Sequence, residues 1–178
     1  QQTKDGGYIV AGSTGAGWED VYILKLNSKG EVEWQKAFGE WYDDGAYSIQ
    51  QTTDGGYIVA GYSLRDVYIL KLNSKGEIER QKTFGEEYSY EEYRNIAAES
   101  IQQTTDGGYI VAGEISYFSV VRFAAIYILK LDSKGEIEWQ KTFGGKYGDG
   151  ANSIQQTTDG GYIVAGWTKS FGSGEEDV

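Results

Sequence analysis

Carboxylates are the side chains with most chemistry to offer here: 27 Asp and Glu against 16 Lys and Arg, with no His and no Cys. Two acids fixed about 5 to 10 Å apart would suit glycoside hydrolysis. Asp43, Asp44, Asp149 and the run Glu86–Glu92 are the available acids, and their spacing does not pair them. Without His or Cys there is no imidazole base, no Cys or Ser–His nucleophile and no structural zinc. Asp20, Asp66 and Asp177 stand before the same hydrophobic string, as a repeated metal ligand would. Ala125 stands there in the third copy, and an Asp at a strand entrance caps a turn. No catalytic set, metal site or cofactor is therefore predicted.

Aromatic residues are the second resource, at 15% of the chain. Trp18, Trp41, Tyr42, Tyr88, Tyr90, Tyr93, Tyr117, Phe118 and Trp167 fall between the regular segments. Exposed, such rings stack on sugars or anchor protein partners; buried, they pack between layers. Acids lie among them, including Glu19, Asp43, Glu86, Glu92 and Glu114.

The elements that must carry these residues are repeats. D-G-G-Y-I-V-A-G begins at Asp5, Asp54, Asp106 and Asp159, at spacings of 49, 52 and 53 residues. A second string, Y-I-L-K-L-[ND]-S-K-G-E-[VI]-E, begins at Tyr22, Tyr68 and Tyr127, and S-I-Q-Q-T-T-D begins at Ser48, Ser100 and Ser153. Each unit reads as four short strands: a (48–52), b (57–61), c (67–72) and d (77–84) in the second copy. D-G-G turns a into b, and N-S-K-G turns c into d. Strands joined so tightly pair antiparallel. Strands b and c are apolar on both sides, so both faces are covered. Strand d alternates like a half-exposed outer strand, and strand a is polar apart from its Ile. A period near 50 with four such strands predicts an all-β fold, a β-propeller of four-stranded antiparallel blades with strand a lining a channel.

On that division the repeats run over 1–46, 47–98, 99–151 and 152–178, about three and a half blades of one partial ring. The net charge of −11 repels phosphate backbones, so nucleic acid is excluded as a partner. No run of about 18 apolar residues is present to span a membrane as a helix.

Asn27 to Trp34, followed by Gly39, resembles the tryptophan-docking motif of quinoprotein-like propeller repeats, and Asp132 to Gly144 with Trp139 matches as well. Arg80 takes the place of the Trp in the second copy. The D-G-G-Y-I-V-A-G string is similar to tandem repeats of secreted or surface prokaryotic propellers. That resemblance implies a secreted or cell-surface location. Quinoprotein dehydrogenases of this fold bind a quinone with calcium, often beneath a vicinal cysteine pair. This chain has neither Cys nor a D-x-[DN]-x-[DN]-G loop, and so resembles the scaffold members rather than the enzymes.

Within the repeat, length varies in two connections only. From the Gly ending b to the Tyr of c the separations are 10, 7 and 14 residues, and the link from d to the next a is longest around Glu86–Asn95. Meander geometry puts both connections at one end of every blade and the invariant turns at the other. The variable end is thus the predicted binding face, for a glycan or a protein. The alternatives are a propeller-type hydrolase or lyase acting on polysaccharide, and a structural subunit of an extracellular assembly. Further blades of the same chain, or another chain, would complete the ring. The apolar stretch Ile115–Ala125 either forms a partner-binding patch or lengthens strands b and c.

Overall fold

The computed structural model describes residues 1–15, 18–39, 42–85, 94–118 and 122–172. Among them lie thirteen strands and no helix. The first sheet holds β1 (Tyr8–Thr14), β2 (Asp20–Leu26) and β3 (Val32–Phe38), with Gln2 bridging to Tyr8. The second holds β4 (Asp44–Gln51), β5 (Tyr57–Ser63), β6 (Asp66–Leu72) and β7 (Ile78–Phe84). The third holds β8 (Arg94–Gln103), β9 (Tyr109–Phe118), β10 (Arg122–Leu131) and β11 (Ile137–Phe143), and the fourth β12 (Asp149–Gln156) and β13 (Tyr162–Thr168). Every sheet is an antiparallel meander in chain order, and no sheet closes on itself.

The boundaries differ from the predicted ones in an informative way. Asp44-Gly45-Ala46 and Asp149-Gly150-Ala151, which lie ahead of the predicted strand a, are the first three residues of β4 and β12. Asp20 and Asp66, read as turn caps, open β2 and β6. The strands run on because the backbone steps round one extra residue. Ala46 faces Gly61 and Ser48 faces Ala60, leaving Tyr47 as a bulge; Glu99 and Asn152 bulge in the same place in β8 and β12. Within the stretch Ile115–Ala125, residues 115–118 and 122–125 do lengthen strands b and c, with Ile115 and Ala125 buried in them, and residues 119–121 lie outside the described residues.

Each a–b turn is a small hydrogen-bonded cage. Asp54 accepts from the Thr52 hydroxyl and from the Gly56 amide, while Gly55 takes a φ of +85° that only glycine adopts without strain. Its second carboxylate oxygen meets the ammonium of Lys71 at 3.0 Å. Lys71 is 5% exposed, and it also donates to Glu79 on β7 at 2.9 Å and to the Leu72 carbonyl at 3.1 Å. The same three-way contact joins Lys25 to Asp5 and Glu33, and Lys130 to Asp106 and Glu138. One buried cation thus ties the a–b turn, strand c and strand d of each of the first three sheets. Burial alone would lower the lysine pKa, but the carboxylate hydrogen bonds outweigh it and raise it. Burial alone would raise Asp54; Thr52, Gly56 and Lys71 together hold it at about 2.

Successive sheets stack through alternate faces. The first sheet offers Ile9, Val21 and Ile23 to Tyr57, Val59, Leu70 and Leu72 of the second. The second offers Ile58, Val67 and Ile69 to Tyr109, Val111, Leu129 and Leu131 of the third. The third offers Ile110 and Ile128 to Tyr162 and Val164 of the fourth. At the outer side, Trp34 lies edge-on to Tyr57 at 5.9 Å and Trp139 to Tyr162 at 5.9 Å. Between the second and third sheets Arg80 replaces the ring and donates to the Ser133 carbonyl at 3.0 Å.

The polarity of strand a has a bonding role that its sequence did not disclose. The Gln103 amide donates to Gln50 Oε1 at 2.6 Å, and the Gln103 side chain accepts from the Thr53 amide at 2.8 Å. Gln156 repeats this with Gln102 and Thr105, and Gln51 with Gln1 and Lys4. Ser48 and Ser100 accept from the Ile101 and Ile154 amides. S-I-Q-Q is a zipper between neighbouring sheets, supplying side-chain partners for backbone groups that no ladder satisfies.

Two stability predictions follow from these contacts. A Cβ on Gly61 would fall 1.9 Å from the Gly45 carbonyl, whereas one on Gly12, the same motif position, meets nothing within 4 Å. Gly61→Ala is expected to cost about 1–3 kcal/mol through overpacking, and Gly12→Ala to leave the thermal midpoint within about 2 °C of wild type. Lys71→Met keeps the stem packed and leaves Asp54 and Glu79 free to hydrate. Asp54→Ala with Glu79→Ala instead strands a buried ammonium, at a cost of about 3 kcal/mol, the low end for a pair whose carboxylates are half-exposed. Denaturant melts should rank the double variant well below Lys71→Met. The depressed Asp54 adds stability above the ordinary carboxylate range that is lost as pH falls towards 2. Lys71→Met should flatten that acid limb.

Candidate functional site

Two strand positions differ in every copy that has them. One is the bulge residue of strand a: Tyr47, Glu99, Asn152. The other follows the last Gly of D-G-G-Y-I-V-A-G: Ser13, Tyr62, Glu114, Trp167. Strand register puts the two side by side at the end carrying the b–c and d–a connections.

The local reasons are steric. Tyr62 lies across Gly45, where an added Cβ would stand 2.5 Å from its ring. Trp167 lies across Gly150 in the same way, and Glu114 Oε2 approaches that glycine from the third sheet. The bulge turns Tyr47 outward, 54% exposed, with its ring centroid 5.4 Å from that of Tyr62. The Tyr62 hydroxyl donates to Glu19 Oε2 at 2.9 Å. Glu19 comes from the first sheet, and its amide donates to Asp43 Oδ1 at 3.0 Å. Aromatic and acidic side chains of neighbouring sheets therefore contact one another along this end, the mouth.

The field there is negative. Burial and the Glu114 charge push Glu99 above the ordinary carboxylate range. Burial, Glu99 and Glu19 push the Tyr47 phenol up. Burial, then the hydrogen bond to Glu19, push the Tyr62 phenol up further. Such a surface accepts hydrogen bonds from hydroxyl or cationic groups and stacks them on flat rings.

The predicted binding residues separate into three groups. Trp18 and Tyr42 are exposed on this end, and Trp167 belongs to the mouth, with Lys169 Nζ 5.7 Å from its ring centroid. Tyr117 stacks on Phe123, centroids 4.9 Å apart and 8° from parallel. It lines a cleft of about 440 Å³ between the second and third sheets, with Phe84, Ile96, Ile115, Tyr127 and Lys141. Trp41, Tyr88, Tyr90 and Tyr93 lie outside the described residues, as does the side chain of Phe118 at the end of β9. Tyr47 and Glu99 escaped the sequence argument, although the Tyr/Glu/Asn change before each S-I-Q-Q was there to be seen.

Of the candidate acids, Asp149 is occupied in binding the chain to itself, and the run Glu86–Glu92 lies outside the described residues. Asp149, 1% exposed, accepts from Gly145 N at 2.8 Å, Ser170 Oγ at 2.7 Å and the Thr168 hydroxyl. These hydrogen bonds hold its carboxyl low against burial. Asp44 occupies the same place in the second sheet, with the third sheet between them. Asp20 and Asp66 fill the space that a side chain on Gly39 or Gly85 would need, one in each of two sheets. Among the described residues no three acids are grouped to hold a metal ion.

Comparison with models of known protein families finds no match, and a search of curated proteins finds none either. No helix among the described residues is long and apolar enough to cross a membrane.

The mouth is testable by titration. A phenol raised by burial and by Glu19 should ionise above the ordinary tyrosine range, followed by absorbance near 295 nm in single-Tyr-to-Phe difference spectra. Glu19→Gln should move the Tyr62 midpoint down while burial keeps it elevated. Since the folded phenol is the harder to ionise, stability should fall as pH rises above about 10.

Proposed function

We propose that the four sheets are successive blades of a β-propeller of the tryptophan-docking, quinoprotein-like kind. In this reading the protein is a secreted or surface module that binds and does not catalyse. Three features support the blade reading. The first strands of neighbouring sheets lie against each other, each junction uses the same two faces, and Trp34 sits over Gly76 of the next sheet as a docking tryptophan would. The binding reading rests on a single observation: the bulge residue of strand a and the residue after D-G-G-Y-I-V-A-G differ in every copy and lie side by side at the mouth, while the lysine contacts that fix each sheet's register do not vary. A repeat free to drift everywhere would not sort its changes this way.

The ligand that best suits Tyr47, Tyr62 and Trp167 beside Glu19, Asp43 and Glu99 is a glycan. Sugar rings stack on aromatic faces, and sugar hydroxyls donate to carboxylates. Asp149, one of the candidate acids for polysaccharide hydrolysis, is spent on loop contacts. A glycan array followed by calorimetry on the best binder tests the proposal. Tyr47→Ala and Trp167→Ala should each weaken binding at least about tenfold, the loss of one stacked ring. Val32→Ala, exposed at the opposite end, should leave it unchanged. Capture of a protein partner without any glycan would overturn the ligand class, and binding insensitive to both aromatic changes would overturn the site.

A further inference from the structure

The three internal junctions are copies of one another. Each joins an isoleucine face to a tyrosine–valine face, and each is zipped at strand a by Gln side chains in the same register, with Ser48 and Ser100 added at the second and third. Every junction therefore has two different halves, which makes it heterologous.

Among the described residues one half of each kind is left uncovered. The first sheet leaves its tyrosine–valine face open: Tyr8 is 42% and Val10 45% exposed, whereas Tyr57 and Val59 in the second sheet are 2% and 1% exposed. The fourth sheet leaves its isoleucine face open: Ile163 is 61% exposed, whereas Ile58 and Ile110 are 1% and 0% exposed. The zipper groups are open as well. Ser153 and Gln155 are exposed, where their counterparts Ser48, Gln50, Ser100 and Gln102 bond to the next sheet.

We propose that the fourth sheet of one molecule docks on the first sheet of a second copy, by the junction used three times inside the chain. Ile163 would meet Tyr8, Val10 and Leu24 of that copy. Gln155 would accept from the Gln2 amide, as Gln50 does from Gln103, and Gln2 would accept from Thr158, as Gln103 does from Thr53. The halves are different surfaces, so the contact joins head to tail and adds copies until the array closes. This inference rests on the junctions alone and stands apart from the glycan reading.

Sedimentation equilibrium of the ligand-free chain, over about 1 to 200 μM, tests it. Wild type should exceed its 19.7 kDa chain mass in a concentration-dependent way. Val10→Glu and Ile163→Glu should each be monomeric, because each destroys one half. Mixed one to one, they should form pairs and nothing larger, since only one intact junction can form between them. Far-UV circular dichroism should be unchanged for both, because both side chains are exposed. Gln155→Ala, which removes one zipper bond, should weaken association about fivefold. A wild type that stays monomeric, a single variant that associates like wild type, or a mixture that fails to pair would overturn the proposal.

Discussion

An ammonium group almost wholly removed from water is tolerated only when anions surround it, and in this protein that requirement organises the sheet. Lys25, Lys71 and Lys130 each bring an Asp from the a–b turn and a Glu from strand d to one point on strand c. The contact is specific rather than merely attractive, because a slip of one residue in any strand would turn the lysine to the other face. It also makes the D-G-G turn part of the core. Asp54 is fixed by Thr52 and Gly56 before it meets Lys71, so the turn presents the carboxylate already oriented.

With each sheet locked in register, its faces become predictable surfaces, and stacking follows. Isoleucines look one way, tyrosines and valines the other, and the strand-a zipper sets the height at which neighbours meet. The lysine contacts and the strand-a zipper take up these two tasks. The two positions that differ in every copy lie at one end of the strands, beside the bulge that lets strand a continue past S-I-Q-Q.

Much of this was legible in the chain. Strand order, antiparallel pairing, covered central strands and a half-exposed outer strand follow from period-two patterns and turn residues, and β4 to β7 match them closely. The lysines were legible as framework because they recur with the unit, but not as ion-pair centres. Their Glu partners lie 8 residues ahead and their Asp partners 20, 17 and 24 residues behind, for Lys25, Lys71 and Lys130 in turn, and only a folded meander brings those together. The first half of strand a was hidden because Asp-Gly-Ala has turn composition, while its extension depends on pairing with β5.

What the sequence by itself determined is the repeating unit: four antiparallel strands, their turns, and the end of the unit where variation is allowed. Those features are local, set by hydrophobic period and turn chemistry within about fifty residues. What only the tertiary structure decided is which variable residues meet. Tyr47 and Tyr62, Glu99 and Glu114, and Trp167 across Gly150 are brought to one mouth by a backbone bulge and by the stacking of separate sheets. No periodicity encodes that convergence, because it arises from contacts between units rather than within one.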